Sequence, residues 1–471
     1  MKSRADANAL LRQLPKVDRV LALEPLASLA GRVSHALVLE SVREELERER
    51  RAILAGKATQ ALGAAELAER AARRVRDLRE GGLQQVVNAT GTLLHTNLGR
   101  AKVPAEVAEV ARMVAASYVD LELDLESGKR GNRYKGVARL VKALTGAEDA
   151  LAVNNNAAAV LIAINTLAAG KEVIVSRGEL VEIGGAFRVP EIVRAAGARM
   201  VEVGTTNRTK ASDYEKAIGP ETGLLLKTHT SNYRIVGFTK SASTAELVAI
   251  GKKRGIPVYE DLGSGSLVDL ARYGLTREPT VQECLATGID LLSFSTDKLL
   301  GGPQGGILAG RAPVLKSLKA NHMLRALRID KVSMAMLEKT LQIYLDPGTI
   351  EARIPFYWAV ARTAAQVAGE IEAFRAGLDL RHLALATGPS HTRIGGGACP
   401  TDRLDTHVLM LSSPRAAAEK LAQKLRTGSP PVLGRLHEDR LHLDFRTVFP
   451  EDRAPLARAL GALDASLAGA D

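Results

Sequence analysis

At 471 residues, with 46% hydrophobic and 25% charged residues, the chain is too long for one small core and has the composition of a globular protein of two or three domains. Two cysteines, Cys284 and Cys399, without C-x-x-C spacing, argue against a disulfide framework or a zinc site and fit a reducing cytoplasm. The formal net charge of +11 suits a polyanionic partner, although many basic enzymes bind no nucleic acid. The start, Met1 to Asn8, lacks the apolar core of a signal peptide, and Arg, Glu or Gly breaks every apolar run before it could span a membrane, so no membrane partner is expected.

Residues 1–80 read as helical. Leu14-Pro15 is a break, Arg43 to Arg51 is a mixed-charge helix with i,i+4 pairing, and Leu62 to Glu80 is an alanine-rich helix placing Arg70, Arg73 and Arg74 on one face. This module is either a packing arm with a solvated charged face or a basic surface for RNA. From Gln85 to Arg100 the β-branched and polar residues with two glycines predict an extended, looped segment, with Arg100 closing a loop toward an active site. Asp120 to Lys135 begins with period-two alternation and ends as a basic, glycine-containing loop.

After residue 150 short strands alternate with helices. Ala150 to Val153, Glu172 to Ser176, Arg199 to Val203, Gly223 to Lys227, Ile256 to Asp261 and Asp290 to Phe294 read as strands. Gly184-Gly185 opens the segment after the second, and Gly197 ends a helix begun at Pro190. The pattern predicts an α/β fold with a mostly parallel sheet and helices on both faces, whose functional residues gather at the carboxyl ends of the strands. Asn154 to Asn156, Ser231-Asn232, Asp261 and Lys298 all fall at such ends.

Lys298 follows a strand and precedes the glycine run Gly301, Gly302, Gly305, Gly306. A lone lysine so delivered suits a Schiff base with pyridoxal 5′-phosphate. The pyridine nitrogen then needs a carboxylate, for which Asp261 is placed, while Glu260 points to the other face by strand alternation. The phosphate would sit on the N–H groups around Asn155, Asn156 and Ala157 at a helix start, with the Ser295 hydroxyl as a further donor. Asn232 or Ser231 would bond the ring's phenolic oxygen. Arg325 and Arg328 form an i,i+3 pair on one helix face that either grips a phosphate-like anion or is merely solvated. Beyond residue 336 helices return, with a break at Tyr344 to Pro347, one helical run from Pro355 to Gly377 and three short strands at Thr406 to Leu411, Val432 to Leu436 and Arg440 to Phe445. The chain thus divides into a helical module (1–80), a large domain (81–335) and a small C-terminal α/β domain (336–471).

With these residues assembled, the chain resembles bacterial L-seryl-tRNA(Sec) selenium transferases, the selenocysteine synthases, over nearly its whole length. The resemblance is carried by Val87 to Arg100, Asp124 to Tyr134, Asn154 to Ala159, Lys227 to Ile235, Ser293 to Lys298 and Leu324 to Lys331. Cys399, where an apolar residue is expected, and the charged Asp402 to Asp405 stretch depart from the pattern. The resemblance implies a fold-type I pyridoxal-phosphate-dependent transferase with Lys298 as Schiff-base lysine. It also implies an N-terminal module that holds the tRNA and a ring-shaped homodecamer. It matches Arg100, Arg325 and Arg328 to the arginines that bind the phosphate of selenophosphate, and Asp297 to an active-site acid. The implied reaction converts seryl-tRNA(Sec), through an aminoacrylyl-tRNA, to selenocysteinyl-tRNA(Sec). Two competing readings are a small-molecule lyase or aminotransferase-like enzyme without tRNA dependence, and an RNA-binding scaffold that keeps the fold without chemistry.

Overall fold

The computed structural model describes residues 4–29, 31–58, 60–183 and 187–468, so Gly184-Gly185 lie outside the described residues. The chain divides into two compact units, Met1–Gln85 and Val86–Asp471.

The first unit is helical. Its two long helices are α1 (His35–Leu54) and α2 (Ala64–Glu80). Helix α2 buries Leu67, Ala68, Ala71, Ala72 and Val75, a stripe at helical spacing, against Val38 and Val42 of α1 and against Val20 and Leu26. The alanines let the backbones approach closely while the arginines stay on the outer face. The charged pairs of α1, Arg48–Glu45 and Arg50–Glu47, are spaced i,i+3 rather than the expected i,i+4.

In the second unit, β1 (Thr92–Leu94) lies in the extended segment expected before Arg100. The region Asp120 to Lys135 forms no strand beyond a single bridge between Leu123 and Arg130; ion pairs of Glu122 with Arg130 and Arg133 hold it as a loop. Then come β2 (Asp149–Val153), α3 (Asn156–Ala168), β3 (Glu172–Ser176), β4 (Arg199–Val203), β5 (Thr222–Thr228), α4 (Thr244–Arg254), β6 (Val258–Asp261), β7 (Leu291–Ser295) and β8 (Gly306–Gly310). They form one seven-stranded sheet in the order β2-β8-β7-β6-β5-β3-β4. The pairs β7/β6, β6/β5, β5/β3 and β3/β4 are parallel, and β8 runs antiparallel to both its neighbours. Every residue of β6, β7 and β8 is buried, which explains the small and apolar sequences of β7 and β8, while β6 ends on two buried carboxylates, Glu260 and Asp261.

Arg325 lies in α5 (Leu324–Leu327), a single turn, but Arg328 is its extended C-cap (φ −67°, ψ 140°) rather than a residue on the same helix face. The chain must extend there because Arg328 bridges Val153 and the Leu327 carbonyl accepts the Asn154 N–H at 2.9 Å. Helix α6 (Lys331–Ile343) runs across positions 335 and 336, where the large domain was expected to end and the small one to begin. The expected single run from Pro355 to Gly377 is broken into α7 (Pro355–Ala361) and α8 (Ala364–Ala376). Thr363 caps the second helix, and the Arg362 guanidinium turns inward to the Arg446 carbonyl at 2.6 Å and to Glu370 at 2.6 Å.

A second core lies under a five-stranded sheet containing β9 (Ala384–Gly395), β10 (Ala398–Ser412), β11 (Arg435–His437) and β12 (Arg440–Asp444), in the order β11-β12-β10-β9-β1. The two long strands β9 and β10 extend well beyond the short strand expected at Thr406 to Leu411. Gly388 and Pro389 lie inside β9, which pairs with β1 only at Arg393 and Gly395, so Pro389 faces an open edge where its missing N–H costs no ladder bond. Among the described residues no helix is long and apolar enough to cross a membrane.

Candidate active site

Strand β7 ends at Ser295, and Thr296, Asp297 and Lys298 follow without reaching solvent; Lys298 is 4% exposed. The glycine run folds back over them. Gly301 N–H donates to the Lys298 carbonyl at 3.0 Å and Gly302 N–H to the Thr296 carbonyl at 2.8 Å, and Gly301 takes a φ of +70° that a side chain would resist. Ser295 pairs with Gly306 across the sheet, and Gly306 with Val153, which brings the lysine turn beside the start of α3. A Cβ at Gly306 would fall inside contact distance of the Asn155 carbonyl.

Asn155 caps α3, its side chain accepting the Ala158 N–H at 2.8 Å. Asn156, the first helical residue, donates its side-chain amide to Asp261 Oδ1 at 2.8 Å, and Gly263 N–H donates to the same oxygen at 3.0 Å. Glu260 turns the other way and accepts the Thr244 hydroxyl at 2.7 Å. The register places Asp261 opposite Ser293, so the carboxylate and Lys298 come from adjacent parallel strands.

Burial raises the pKa of the Asp261 carboxyl, opposed by Asn156, the Gly263 N–H and the Lys298 charge. Burial, with the Arg100 guanidinium, lowers the pKa of the Lys298 amine, opposed by Asp261, Asp297 and Glu278. The site therefore holds a lysine displaced toward its neutral, nucleophilic form beside a carboxyl displaced toward its protonated form, a pairing suited to proton transfer and imine chemistry.

Arg100 follows Gly99 in the left-handed region (φ +64°) and donates to Asp297 Oδ2 at 2.7 Å, while the Asp297 carbonyl accepts the Ala101 N–H at 3.2 Å. The sequence loop carrying Arg100 therefore does close on the lysine turn. Arg325 and Arg328 are both exposed and form no ion pair among the described residues. Asn232 donates to the Glu182 carbonyl at 2.8 Å, and the Ser231 Oγ and Asn232 Oδ1 are buried without a partner. Ser295 is buried beside Gly263, whose carbonyl accepts its N–H at 3.0 Å.

Two groups escaped sequence reasoning. His229 N–H donates to the Asp261 carbonyl at 2.8 Å, and His229 Nε2 lies 3.9 Å from Glu278 Oε2. Glu278 also accepts the Ser264 hydroxyl at 2.7 Å and the Cys399 N–H at 3.1 Å. Burial pushes the Glu278 carboxyl up, but His229, Ser264 and Cys399 outweigh it and hold it below the ordinary value. His229 stands directly after a strand end, a signal that could have singled it out; Glu278 sits in an irregular loop and gave none. Cys399 enters with φ +46°, burial pushes its thiol far above the ordinary range, and the protonated thiol donates to Glu278 Oε1 at 3.6 Å beside the backbone bond.

A profile of the family described as L-seryl-tRNA selenium transferase matches residues 86–449, and one described as selenocysteine synthase N terminal matches residues 11–50. The L-seryl-tRNA(Sec) selenium transferase of Carboxydothermus hydrogenoformans is 47% identical over 450 residues, covering 94% of this chain and 95% of that one. The enzyme of that name from Moorella thermoacetica is 45% identical over 458 residues, covering 97% of each. Among solved structures, a D-glucosaminate-6-phosphate ammonia-lyase superposes with a TM-score of 0.58 at 24% identity, covering 83% of this chain and 98% of that one, a likeness of fold. The architecture is the fold-type I α/β arrangement expected from the strand–helix alternation, with a helical unit before it and a second sheet after it. The chain belongs to the L-seryl-tRNA selenium transferase family.

Proposed function

We propose that this protein converts serine-charged selenocysteine tRNA to its selenocysteinyl form, with pyridoxal 5′-phosphate as cofactor and selenophosphate as selenium donor. The observation that carries the reading is Lys298, a buried amine at a strand end whose pKa is lowered, next to buried Asp261. The residues fit the cofactor. Asp261 is a fixed acceptor for a ring nitrogen, the start of α3 offers the backbone N–H groups of Asn156 and Ala157 to a phosphate, and the partnerless Ser231 Oγ and Asn232 Oδ1 await a polar ligand.

When bound, the cofactor supplies an electron sink for the charge left at the seryl Cα. Lys298 holds the cofactor and, as a neutral amine, takes the Cα proton. Asn156 keeps Asp261 aimed, and Ser295 adds a donor for the phosphate. Arg100, oriented by Asp297, together with Arg325 and Arg328 holds the donor's phosphate. The seryl Cβ–O bond breaks with its hydroxyl leaving as water, a Cβ–Se bond forms, and a water hydrolyses the donor's P–Se bond, releasing inorganic phosphate. Residues 1–80 hold the tRNA, and the working form is a cytoplasmic homodecamer, as the family resemblance implies.

The test is conversion by the purified full-length protein of seryl-tRNA(Sec) and selenophosphate to selenocysteinyl-tRNA, with serine-specific tRNA as control. Product only with the cofactor and only from the selenocysteine tRNA is expected. Absence of product under those conditions would sink the reading.

A further inference from the structure

A cavity of about 300 Å³ opens at the carboxyl ends of β3, β4 and β5, beside the cofactor residues but not made of them. That volume is at the small end of the range for ligand pockets. Its floor is neutral: Lys227 Nζ lies 3.0 Å from Glu179 Oε1 and donates to the Ala242 carbonyl at 2.9 Å, and Glu179 Oε2 accepts the Thr228 N–H at 3.1 Å. Burial works against the Lys227 ammonium, yet Glu179 and Glu260 outweigh it and hold its pKa above the ordinary value. The lining cations Arg208, Arg234 and Lys240 make no ion pair among the described residues, so the cavity carries uncompensated positive charge.

Phe238 stands at the rim, 90% exposed. Its backbone is fixed although its ring is free. Asn207 Nδ2 donates to the Phe238 carbonyl at 2.8 Å, Lys240 N–H to the Asn207 carbonyl at 2.9 Å, and Thr209 N–H to the Lys240 carbonyl at 2.8 Å. An exposed, backbone-anchored aromatic among unpaired cations has the composition of a single-stranded nucleic-acid site, where bases stack on the ring and phosphates meet the cations. The cavity also leads to the chemistry: its lining includes His229, whose N–H bonds Asp261.

We propose that Arg208, Arg234, Lys240 and Phe238 form the seat for the single-stranded 3′ end of the substrate tRNA, close to Lys298, the amine that takes the seryl Cα proton. The proposal rests on the reading that the substrate is a charged tRNA. The same cations would also attract a free phosphate, and the exposed ring would also suit contact with a second copy of this chain.

The experiment compares full-length wild type with Phe238→Ala and with the triple variant Arg208→Ala/Arg234→Ala/Lys240→Ala. The probes are intact selenocysteine tRNA, the same tRNA lacking its single-stranded 3′ tail, and inorganic phosphate. Wild type should lose affinity when the tail is removed. Both variants should bind intact tRNA about tenfold more weakly and respond little to tail removal, with KM for seryl-tRNA raised more than kcat is lowered. Variants as sensitive to the tail as wild type overturn the proposal, provided wild type converts the charged tRNA; failure of that conversion sinks the functional reading instead. Phosphate bound by wild type and not by the triple variant, with tRNA binding unchanged, makes the cavity a small-anion site. A change of oligomeric mass in Phe238→Ala makes the rim a contact between copies. Either result overturns the RNA assignment.

Discussion

Asn156 and Asp261 are joined at 2.8 Å, so the residue that opens helix α3 also fixes the carboxylate ending strand β6. Removing the amide leaves a buried carboxyl with one donor instead of two and raises its pKa further. Asn156→Ala should cost about 1.5–3 kcal/mol of cofactor affinity or turnover, roughly a ten- to hundredfold loss. Titration of pyridoxal phosphate into the variant checks this, and unchanged affinity together with unchanged turnover would refute it.

Lys298→Ala should abolish turnover and the visible absorbance of lysine-attached cofactor while leaving the protein folded. Asp261→Asn should keep that absorbance and lose most exchange of the seryl α-proton, because a neutral ring nitrogen is a poor electron sink. Absorbance spectra and exchange into deuterated solvent separate the two outcomes.

The depressed Lys298 pKa has a consequence for stability in the cofactor-free protein. Between the folded value and the ordinary 10.5, the unfolded chain binds the proton that the folded chain gives up, so stability rises with pH there. At neutral pH the lysine is a net cost. Lys298→Met should melt higher than wild type at pH 7, with the gap narrowing as the pH approaches 10.5. Thermal scans across that range provide the check; a gap that is absent at pH 7 or widens with pH would contradict it.

Arg100 and Asp297 form a pair in which the carboxylate is nearly enclosed. Arg100→Ala strands that charge and should destabilise the protein on the order of 3 kcal/mol, read as a lower denaturation midpoint. Arg328→Ala removes an exposed side chain with no ion pair among the described residues, so stability should hold while KM for selenophosphate rises. Equal KM values in wild type and Arg328→Ala would remove Arg328 from donor binding.

Deleting residues 1–80 should leave a folded, cofactor-binding body, since the second compact unit begins at Val86. It should lose affinity for selenocysteine tRNA, and binding by the full chain should weaken as salt rises. Two of the arginines the sequence set on one face are already engaged, Arg70 with Glu66 at 2.9 Å and Arg74 with Glu44. Arg73 is therefore the first to neutralise. Equal tRNA affinity in the truncated and full-length proteins would make the module a packing arm.

Most strands of the large sheet were legible because they are buried on both faces and bounded by turn residues, as Glu172–Ser176 is; the half-exposed edge strand Arg199–Val203 was marked instead by Gly197 and Gly204 on either side of it. Asp261 and Lys298 were placed by the rule that strand ends carry function, and the register puts their strands side by side. The second sheet was less legible. Pro389 disguises an edge strand, and pairing to Thr92 and Leu94, some three hundred residues away, leaves no local trace. Arg328 misled for a related reason. Its spacing from Arg325 is helical, but a backbone bridge to Val153 draws it straight. The role of Glu278 depends on His229, Ser264 and Cys399 converging from distant segments, which no local pattern announces.

Gly306 leaves no room for a side chain against the Asn155 carbonyl, while the turn bearing Lys298 is bonded through Gly301 and Gly302 into the same short stretch. The amine and the helix end that would cradle a phosphate are thereby geared together, and neither can drift without dragging the other. Alanine at this one position would wedge the two halves apart by displacing main chain, against which no rotamer can give way. Accommodation of a bulky substrate is then left to the loops beyond β3, β4 and β5, and the reaction centre itself works as a fixed anvil.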